Sequence, residues 1–491
     1  MNYADLFRVT LPETALEIAA LVVLVADLGF LRKAALNVRA SVAALLGIFG
    51  CAAALWTMPL QAAGGLVYPG TGEVLLMAGG SAAVAQIGIL ALTVLTLFLL
   101  MDAEFTQHVG EYVAVVLMAA AGGLLIAAAQ DLLIIFIGLE LLSLGLYILA
   151  AFAKRSANSA EAAIKYYLFG GMSAAFLLFG FSYLYGLSGS TNLAQIVAAE
   201  QGMHSGAMLT IALVMVAAGL GFKVAAVPFH LWAPDAYEGA PAPAAAFIAS
   251  VSKVASFALL ISVSVAALHI FHGTHGPWSL ILAVLATASM VLGNLVALAQ
   301  VSVRRLLAYS AIAHAGYILL ALAYFSDSPT NPSVILYYIV TYGLTTIGAF
   351  GVVAVVERSA GSDRLDAFLG LHKRNPALAA ILLVLFLSLA GIPPLVGFWA
   401  KFNLFAAVLG VAAGAAPFGL VALALAMSAV SLYYYLQVLK RAFVMPAVTE
   451  TPIVASPLTL ALLMMIAALV VVFGCFPALL QNWIAGFYPS M

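Results

Sequence analysis

Four lysines stand where a lysine is costly. Lys165, Lys223, Lys253 and Lys401 lie inside long apolar runs of a 491-residue chain that has only 18 Lys and Arg in all, so each is expected to meet lipid or packed protein instead of water. Such a charge near the centre of a bilayer costs roughly 2.5–3.5 kcal/mol on insertion scales. Ionisable groups at that depth therefore face a bundle interior or a wet cavity and serve transport. Glu140 is a fifth group expected to be buried in the same way. A carboxylate and a row of ammonium groups at depth can hold and pass protons. Burial disfavours the charged form of each, and a close partner of opposite sign restores it, so proton affinity depends on partner distance. Moving one charge against a membrane potential takes about 2.3 kcal/mol per 100 mV, which a change of roughly two pKa units matches.

Two of these lysines stand beside prolines that a spanning helix would not ordinarily hold. One run reads GLGFKVAAVPFHLWAPDAYEGAPAP, with Lys223 before Pro228, then His230, Pro234, Pro241 and Pro243. The other reads LSLAGIPPLVGFWAKF, with Gly391, Pro393 and Pro394 ahead of Lys401. Proline removes a backbone donor and clashes with the preceding turn, so both helices are expected to break near mid-membrane. Broken backbone is tolerated at that depth only where protein buries it or water fills a cavity, and paired breaks point to a transport site.

The elements that must position these groups are membrane helices. The chain is 65% hydrophobic and 8% charged, with a mean hydropathy of +1.16, and apolar stretches of about 20 residues follow one another with short polar joints. The expected fold is all-α and polytopic, with about fourteen transmembrane helices, of which the seventh and twelfth are discontinuous. The breaks recur five spans apart, which suggests two inverted five-helix repeats, spans 4–8 and 9–13. The implied organisation is helices 1–3 in 1–109, a first repeat in 110–269, a second in 270–443, and a last helix in 444–491. The first segment carries Glu13, Glu17 and Asp27 without a small-residue cleavage pattern and is expected to remain as a span.

Basic residues sort by joint. Arg32, Lys33, Arg39, Lys154, Arg155, Arg304, Arg305, Arg358, Arg364, Lys373, Arg374, Lys440 and Arg441 fall on one face, and Arg8 on the other. Positive joints stay cytoplasmic, so both termini are expected on the outer, periplasmic side of a bacterial inner membrane. Asp102, Glu104, Glu111 and His108 depart from this trend on the cytoplasmic side, where they are expected to contact neighbours. Cys51 and Cys475 lie in apolar runs outside any CxxC or Cys/His cluster, and no glycine-rich phosphate loop follows a strand, so no redox cofactor, nucleotide or metal site is expected in this chain. His269, His272 and His275 read as solvated loop residues. With net charge −1 and no basic patch, nucleic-acid binding is excluded.

FKVAAVPFHLWAPDAYEGAPAP at 222–243, SKVA at 252–255, RRLLAYSAIAHAGY at 304–317 and GIPPLVGFWAKF at 391–402 resemble the antiporter-like membrane subunits of respiratory complex I and of Mrp-type cation/proton antiporters. The specific match is to the subunit N branch of the proton-pumping NADH:quinone oxidoreductases, over nearly the whole chain. The resemblance implies a proton relay. Glu140 and Lys223 form its anchoring pair, with Lys165 near them; Lys253 is the central lysine joining two half-channels, Lys401 the terminal lysine of the exit half, and His230 and His314 help between them. It also implies that NADH, FMN, iron–sulfur clusters and quinone belong to partner subunits. Those partners are other membrane subunits, especially adjacent antiporter-like and small ones, with lipid around them and the quinone pool reached indirectly.

Plainer readings stand beside these roles. Lys165 has Glu161 one turn earlier and could form a helix-end ion pair. A lone helical histidine such as His230 or His314 is often a hydrogen-bonded packing residue. Asp235 and Glu238 read as loop structure, and Tyr166, Tyr167, Tyr433, Tyr434 and Tyr435 as interfacial anchors. Other whole-chain readings are a subunit of an Mrp-type antiporter or membrane-bound hydrogenase, a solitary carrier in which Lys223 or Lys401 binds an anion, and a passive scaffold.

Overall fold

A computed structural model describes residues 7, 9–58, 66–67, 74–102, 105–199, 206–270, 276–325, 330–411, 414–447 and 451–487. Arg8, Glu104, His272 and His275 lie outside them. The helices include α1 (Leu11–Val25), continued by one π turn (Ala26–Phe30), α2 (Leu36–Thr57), α3 (Gly80–Leu100), α4 (Val109–Ala128), α5 (Leu132–Ala150), α6 (Ala157–Ser188), α7 (Ala207–Lys223), α8 (Trp232–Gly239), α9 (Ala242–Ala249), α10 (Val251–Ile270), α11 (Pro277–Ala297), α12 (Val303–Ala323), α13 (Thr330–Ala360), α14 (Pro376–Ala390), α15 (Val396–Val411), α16 (Ala415–Phe443) and α17 (Pro457–Cys475), with short helical turns at Leu193–Ala198, Leu365–Phe368, Leu371–Arg374 and Pro477–Ala485. A two-stranded antiparallel ribbon, β1 (Leu66–Val67) and β2 (Val74–Leu76), joins α2 to α3. Among the described residues eleven helices are long and apolar enough to cross a membrane, α9 and α10 counting as one, while α7, α14 and α15 are shorter apolar helices.

Local chemistry sets where these helices start. Asp131 accepts from the Leu133 and Ile134 amides to cap α5, and Ser156, Ser302, Asn375 and Ser456 cap α6, α12, α14 and α17 in the same way. Packing then sorts the helices by depth. About 94% of the apolar window of α12 and 89% of that of α13 are buried inside the chain, against 22% for α16, so α12 and α13 form the centre and α16 an outer wall. Small residues let backbones meet where no hydrophobic effect separates helix from lipid. Gly122 of α4 lies against the backbone of Leu142 on α5, and Gly293 and Gly316 bring α11 and α12 together in the same manner.

The joints that carry the basic residues meet on one face. Val303 N donates to Asp363 O and Gly370 N to Arg441 O. Asp102, Ser156, Glu238, Arg304, Arg358 and Thr459 line one cavity of about 550 Å³ there. Asp102 bonds Ser456 and Thr459 and receives Arg358 on its carbonyl. Arg304 is a deep residue of this face, not a solvated one: its guanidinium meets Glu357 at 2.6 Å and donates to the carbonyls of Glu238 and Ala240 at 3.0 and 2.8 Å. Asp235 and Glu238, read from sequence as loop residues, stand on α8 and bind Arg305 at 2.7 and 2.9 Å. Lys165 joins the same network, 2.7 Å from both Glu161 and Asp235.

Arg304→Met is expected to strand the Glu357 carboxylate and two carbonyls at the α8 end together, at a cost of about 2–4 kcal/mol, discounted because Glu357 is partly wet. The measurement is the thermal midpoint of the purified protein in detergent. Adding Glu357→Leu should recover part of the loss; strictly additive effects would mean that the two side chains are not coupled.

Candidate functional site

Breaking a helix frees carbonyls and amides that an apolar surrounding cannot solvate. At the first break, α7 ends on Lys223 and α8 opens at Trp232, with a cis Val227–Pro228 bond and Ala225 at φ 59° between them. Protein groups take up what is freed. Trp232 Nε1 donates to Phe222 O at 2.9 Å, Ala226 N to Gly221 O at 2.8 Å, and Val227 N to Ser289 Oγ at 2.9 Å. Tyr166 stacks flat on the Trp232 ring at 4.1 Å and holds it in place.

Lys223 is buried, and its ammonium donates to Ser143 Oγ at 2.5 Å. Ser143 stands one turn beyond Glu140 on α5 and donates in turn to Leu139 O. Among the described residues no ion pair within 4.0 Å joins Lys223 to Glu140. Glu140 is also half-buried where sequence suggested full burial. It lies on the stripe of α5 that includes exposed Leu133, Ile137, Leu144 and Ile148. The structure thus places Ser143, not Glu140, in contact with Lys223. Lys165 departs further from its expected surroundings: its side chain is 41% exposed and bound to Glu161 and Asp235. His230 is buried, and its Nδ1 has no partner among the described residues.

The centre of the molecule gathers three expected residues from three elements. Lys253, buried on α10, donates to Ala311 O at 2.6 Å and lies 5.7 Å from the Tyr342 ring centroid. One turn beyond Ala311 on α12, His314 shares a 2.7 Å hydrogen bond between Nδ1 and Tyr338 OH. A cavity of about 10 Å³, lined by His314, Tyr338, Ser388, Gly397 and Ala400, lies beside it, just large enough for one water. Lys401 closes the row. At the second break Gly391 takes the left-handed conformation, φ 88°, next to the cis Pro393–Pro394 bond, and Lys401 curls back from α15 to donate to Ala390 O at 3.0 Å and to Ser428 Oγ at 2.9 Å. Its ammonium stands 5.4 Å over the Tyr317 ring. Gly397 N donates to Ser388 Oγ at 3.2 Å and Trp399 Nε1 to Gly474 O at 2.8 Å, which ties the two halves of the break to each other and to α17.

None of Lys223, Lys253 and Lys401 forms an ion pair with a carboxylate among the described residues. Their nitrogens are held by hydroxyls, carbonyls and ring faces, which stabilise an ammonium without locking it charged. Sequence reasoning missed Ser143, Ser428, Tyr338 and Tyr342. Their signal was hydroxyl side chains within apolar runs, as in YYIVTYGLTT at 337–346. It also misplaced three tyrosines: Tyr166, Tyr434 and Tyr435 are buried, so only Tyr167 and Tyr433, both exposed, stand where an interfacial anchor would.

Known proteins share this fold. Residues 129–431 match the membrane family described as NADH:quinone oxidoreductase/Mrp antiporter. NADH-quinone oxidoreductase subunit N 2 of Acidobacterium capsulatum is 48% identical, over 99% of both chains. A chain of respiratory complex I from Thermus thermophilus with bound aureothin is 33% identical, covers 96% of this chain and 98% of its own, and superposes with a TM-score of 0.78. A chain of the Mrp complex from a Dietzia species shares the fold at a TM-score of 0.79, with 22% identity over 97% of this chain and 96% of its own.

The second break depends on Gly397, where a Cβ would fall 1.9 Å from Ser388 O. Gly397→Ala is expected to force α14 and α15 apart and to lower stability by about 1–3 kcal/mol. The thermal midpoint in detergent checks this, with Gly410→Ala, at a helix position with nothing within 4 Å, as a neutral or slightly stabilising control.

Proposed function

The chain belongs to the NADH:quinone oxidoreductase/Mrp antiporter membrane family, in its subunit N branch, and from that premise we propose the route by which it moves protons. It is a proton-translocating membrane subunit of an NADH:quinone oxidoreductase and sits there among other membrane subunits. In our reading the route runs from Glu140 and Lys223 at the first break, through Lys253 and His314 at the centre, to Lys401 at the second break. His230 serves the first half. Lys165 sets the local field through Asp235 and Arg305.

The observation that carries this reading is the central row. Lys253, His314 and Lys401 come from three separate helices to one buried centre, each held by neutral groups. A purely structural use of buried lysines calls for carboxylate partners, since an unpaired buried charge is destabilising. Neutral acceptors suit a group that must gain and lose its proton. Near-complete coverage at 48% identity favours the quinone oxidoreductase over an Mrp antiporter, where only the fold is shared.

The same reading assigns the basic face to the cytoplasm and both termini to the outer side of a bacterial inner membrane. It treats 110–269 and 270–443 as inverted repeats between an N-terminal part, 1–109, and a last helix in 444–491. NADH, FMN, iron–sulfur clusters and quinone are assigned to partner subunits, whose electron transfer supplies the energy.

Lys223→Ala, Lys253→Met and Lys401→Ala, each in a complex shown by native gel to be assembled, are expected to lower the protons pumped per NADH oxidised, measured in inverted membrane vesicles. Unchanged stoichiometry in all three would remove the row from the path and make the chain a scaffold.

A further inference from the structure

Between Lys401 and the basic face lies a second set of buried polar side chains that the relay does not use. Tyr317 and Ser310 on α12, Asn294 on α11, and Tyr434 and Tyr435 on α16 are all buried. The Tyr317 ring lies beneath the Lys401 ammonium, and its hydroxyl accepts from Asn294 Nδ2 at 3.1 Å. Asn294 Oδ1 accepts from Tyr434 OH, also at 3.1 Å. Tyr435 neighbours Tyr434, ring centroids 4.6 Å apart, and shares a hydrogen bond with Ser310 Oγ. Ser428, the Lys401 partner, stands roughly 22 Å of helix from the α16 end at Phe443, Tyr434 roughly 14 Å, and Ser310 roughly 10 Å from the α12 start. The set therefore runs from the second break toward the basic face.

Its middle member is the one group that cannot pass a proton cheaply. A hydroxyl relays by accepting one hydrogen and releasing another, and a lysine by releasing a proton as the ammonium and taking one up as the neutral amine. For an amide to do so, Oδ1 would take the hydroxyl hydrogen of Tyr434 and Nδ2 would surrender one of its own to the Tyr317 oxygen. That leaves the disfavoured imidic-acid tautomer, which must revert before a second proton could follow. The orientation of this amide is fixed from outside the row: Nδ2 also donates to the backbone carbonyl of Met290 at 2.7 Å, and a carbonyl only accepts. The Tyr434 hydrogen is thereby aimed into Asn294, and the Tyr317 oxygen is occupied by an amide donor.

We propose that Asn294 is a proton seal: a non-titrating amide set between the Tyr317 hydroxyl beside Lys401 and the Tyr434 hydroxyl on the side of the basic face, so that Lys401 is insulated from that face. The proposal rests on Lys401 being a relay station. A pump needs such a seal, because a terminal lysine open to the side from which protons are drawn would return them down the gradient. A carboxyl group of the same shape breaks the seal. Its one oxygen accepts the incoming hydrogen and its other O–H releases one, with both oxygens equivalent and no tautomer to reverse.

The test uses liposomes holding the assembled complex, an imposed pH gradient and a pH-sensitive dye. Asn294→Asp is expected to speed the gradient's decay through the complex roughly tenfold, whereas Asn294→Leu is not. Adding either Tyr434→Phe or Lys401→Ala to Asn294→Asp should return the decay to the parent rate. Parent-rate decay in an assembled Asn294→Asp complex overturns the proposal, as does a leak that persists with Tyr434→Phe. Should Asn294→Asp fail to assemble, Tyr434→Phe alone decides. Removing that one oxygen should leave the protons pumped per NADH unchanged, and a fall would make the set a conducting route instead of a barrier. If Lys401→Ala alone leaves pumping intact, the relay reading fails, and that outcome is read independently of the leak.

Discussion

One requirement fixes where two of the buried lysines stand: a helix broken inside an apolar slab must find partners for the groups the break sets free. The first break meets it with an indole, Trp232 reaching back to Phe222 O. The second meets it with a lysine, Lys401 reaching back to Ala390 O. Neighbouring helices supply the rest through Ser289 and Ser388. Once these partners are fixed, so are the positions of the ionisable groups, because Lys223 ends one half-helix and Lys401 folds onto the end of another. At the second break the backbone's need and the ammonium's are met together, whereas at the first Trp232 serves the backbone and Ser143 the ammonium.

The central row shows the same economy of polar groups. Burying charge without a carboxylate is destabilising, yet a salt bridge would hold each lysine in one protonation state. Hydroxyls, main-chain carbonyls and ring faces lie between these extremes. They soften the loss of water around an ammonium and remain usable partners for the neutral amine. Charged residues of the basic face do pair: Arg304 with Glu357 holds α12 against α13, Lys165 with Asp235 holds α6 against α8, and Arg305 with Asp235 and Glu238 holds α8 against α12. Charges paired with carboxylates build the frame, and lysines held by neutral groups occupy the centre.

How much of this was legible beforehand follows from what each signal encodes. Apolar runs and their joints place membrane helices because a bilayer demands length and composition, and the Pro228 and Pro393–Pro394 breaks are local consequences of proline's missing donor. The depth of Lys223, Lys253 and Lys401 was legible for the same reason: all three lie far from any joint. Contacts between helices were not. Ser143 supplants Glu140 as the Lys223 partner, and Tyr434 turns inward while Tyr433 faces out, because both facts depend on helix rotation, which a nearly uniform apolar sequence leaves weakly marked. Lys165 misled for a related reason. It sits in an apolar run, but roughly two turns from the start of α6 its long stem can reach the acidic end of α8.

The two broken helices also differ in what happens when a proton leaves. An ammonium has three donors and the neutral amine two. Lys401 engages two acceptors, Ala390 O and Ser428 Oγ, so it can lose its proton and still satisfy both, and the second break keeps its partner in either state. Lys223 and Lys253 each engage one, Ser143 Oγ and Ala311 O, and neither closes a break. At the first break that duty falls to Trp232, whose indole does not titrate. On the proposed route, proton transfer along the row is thus separated from the integrity of the helices that carry it. On that reading, a change of charge in the core leaves both breaks with the partners that hold them.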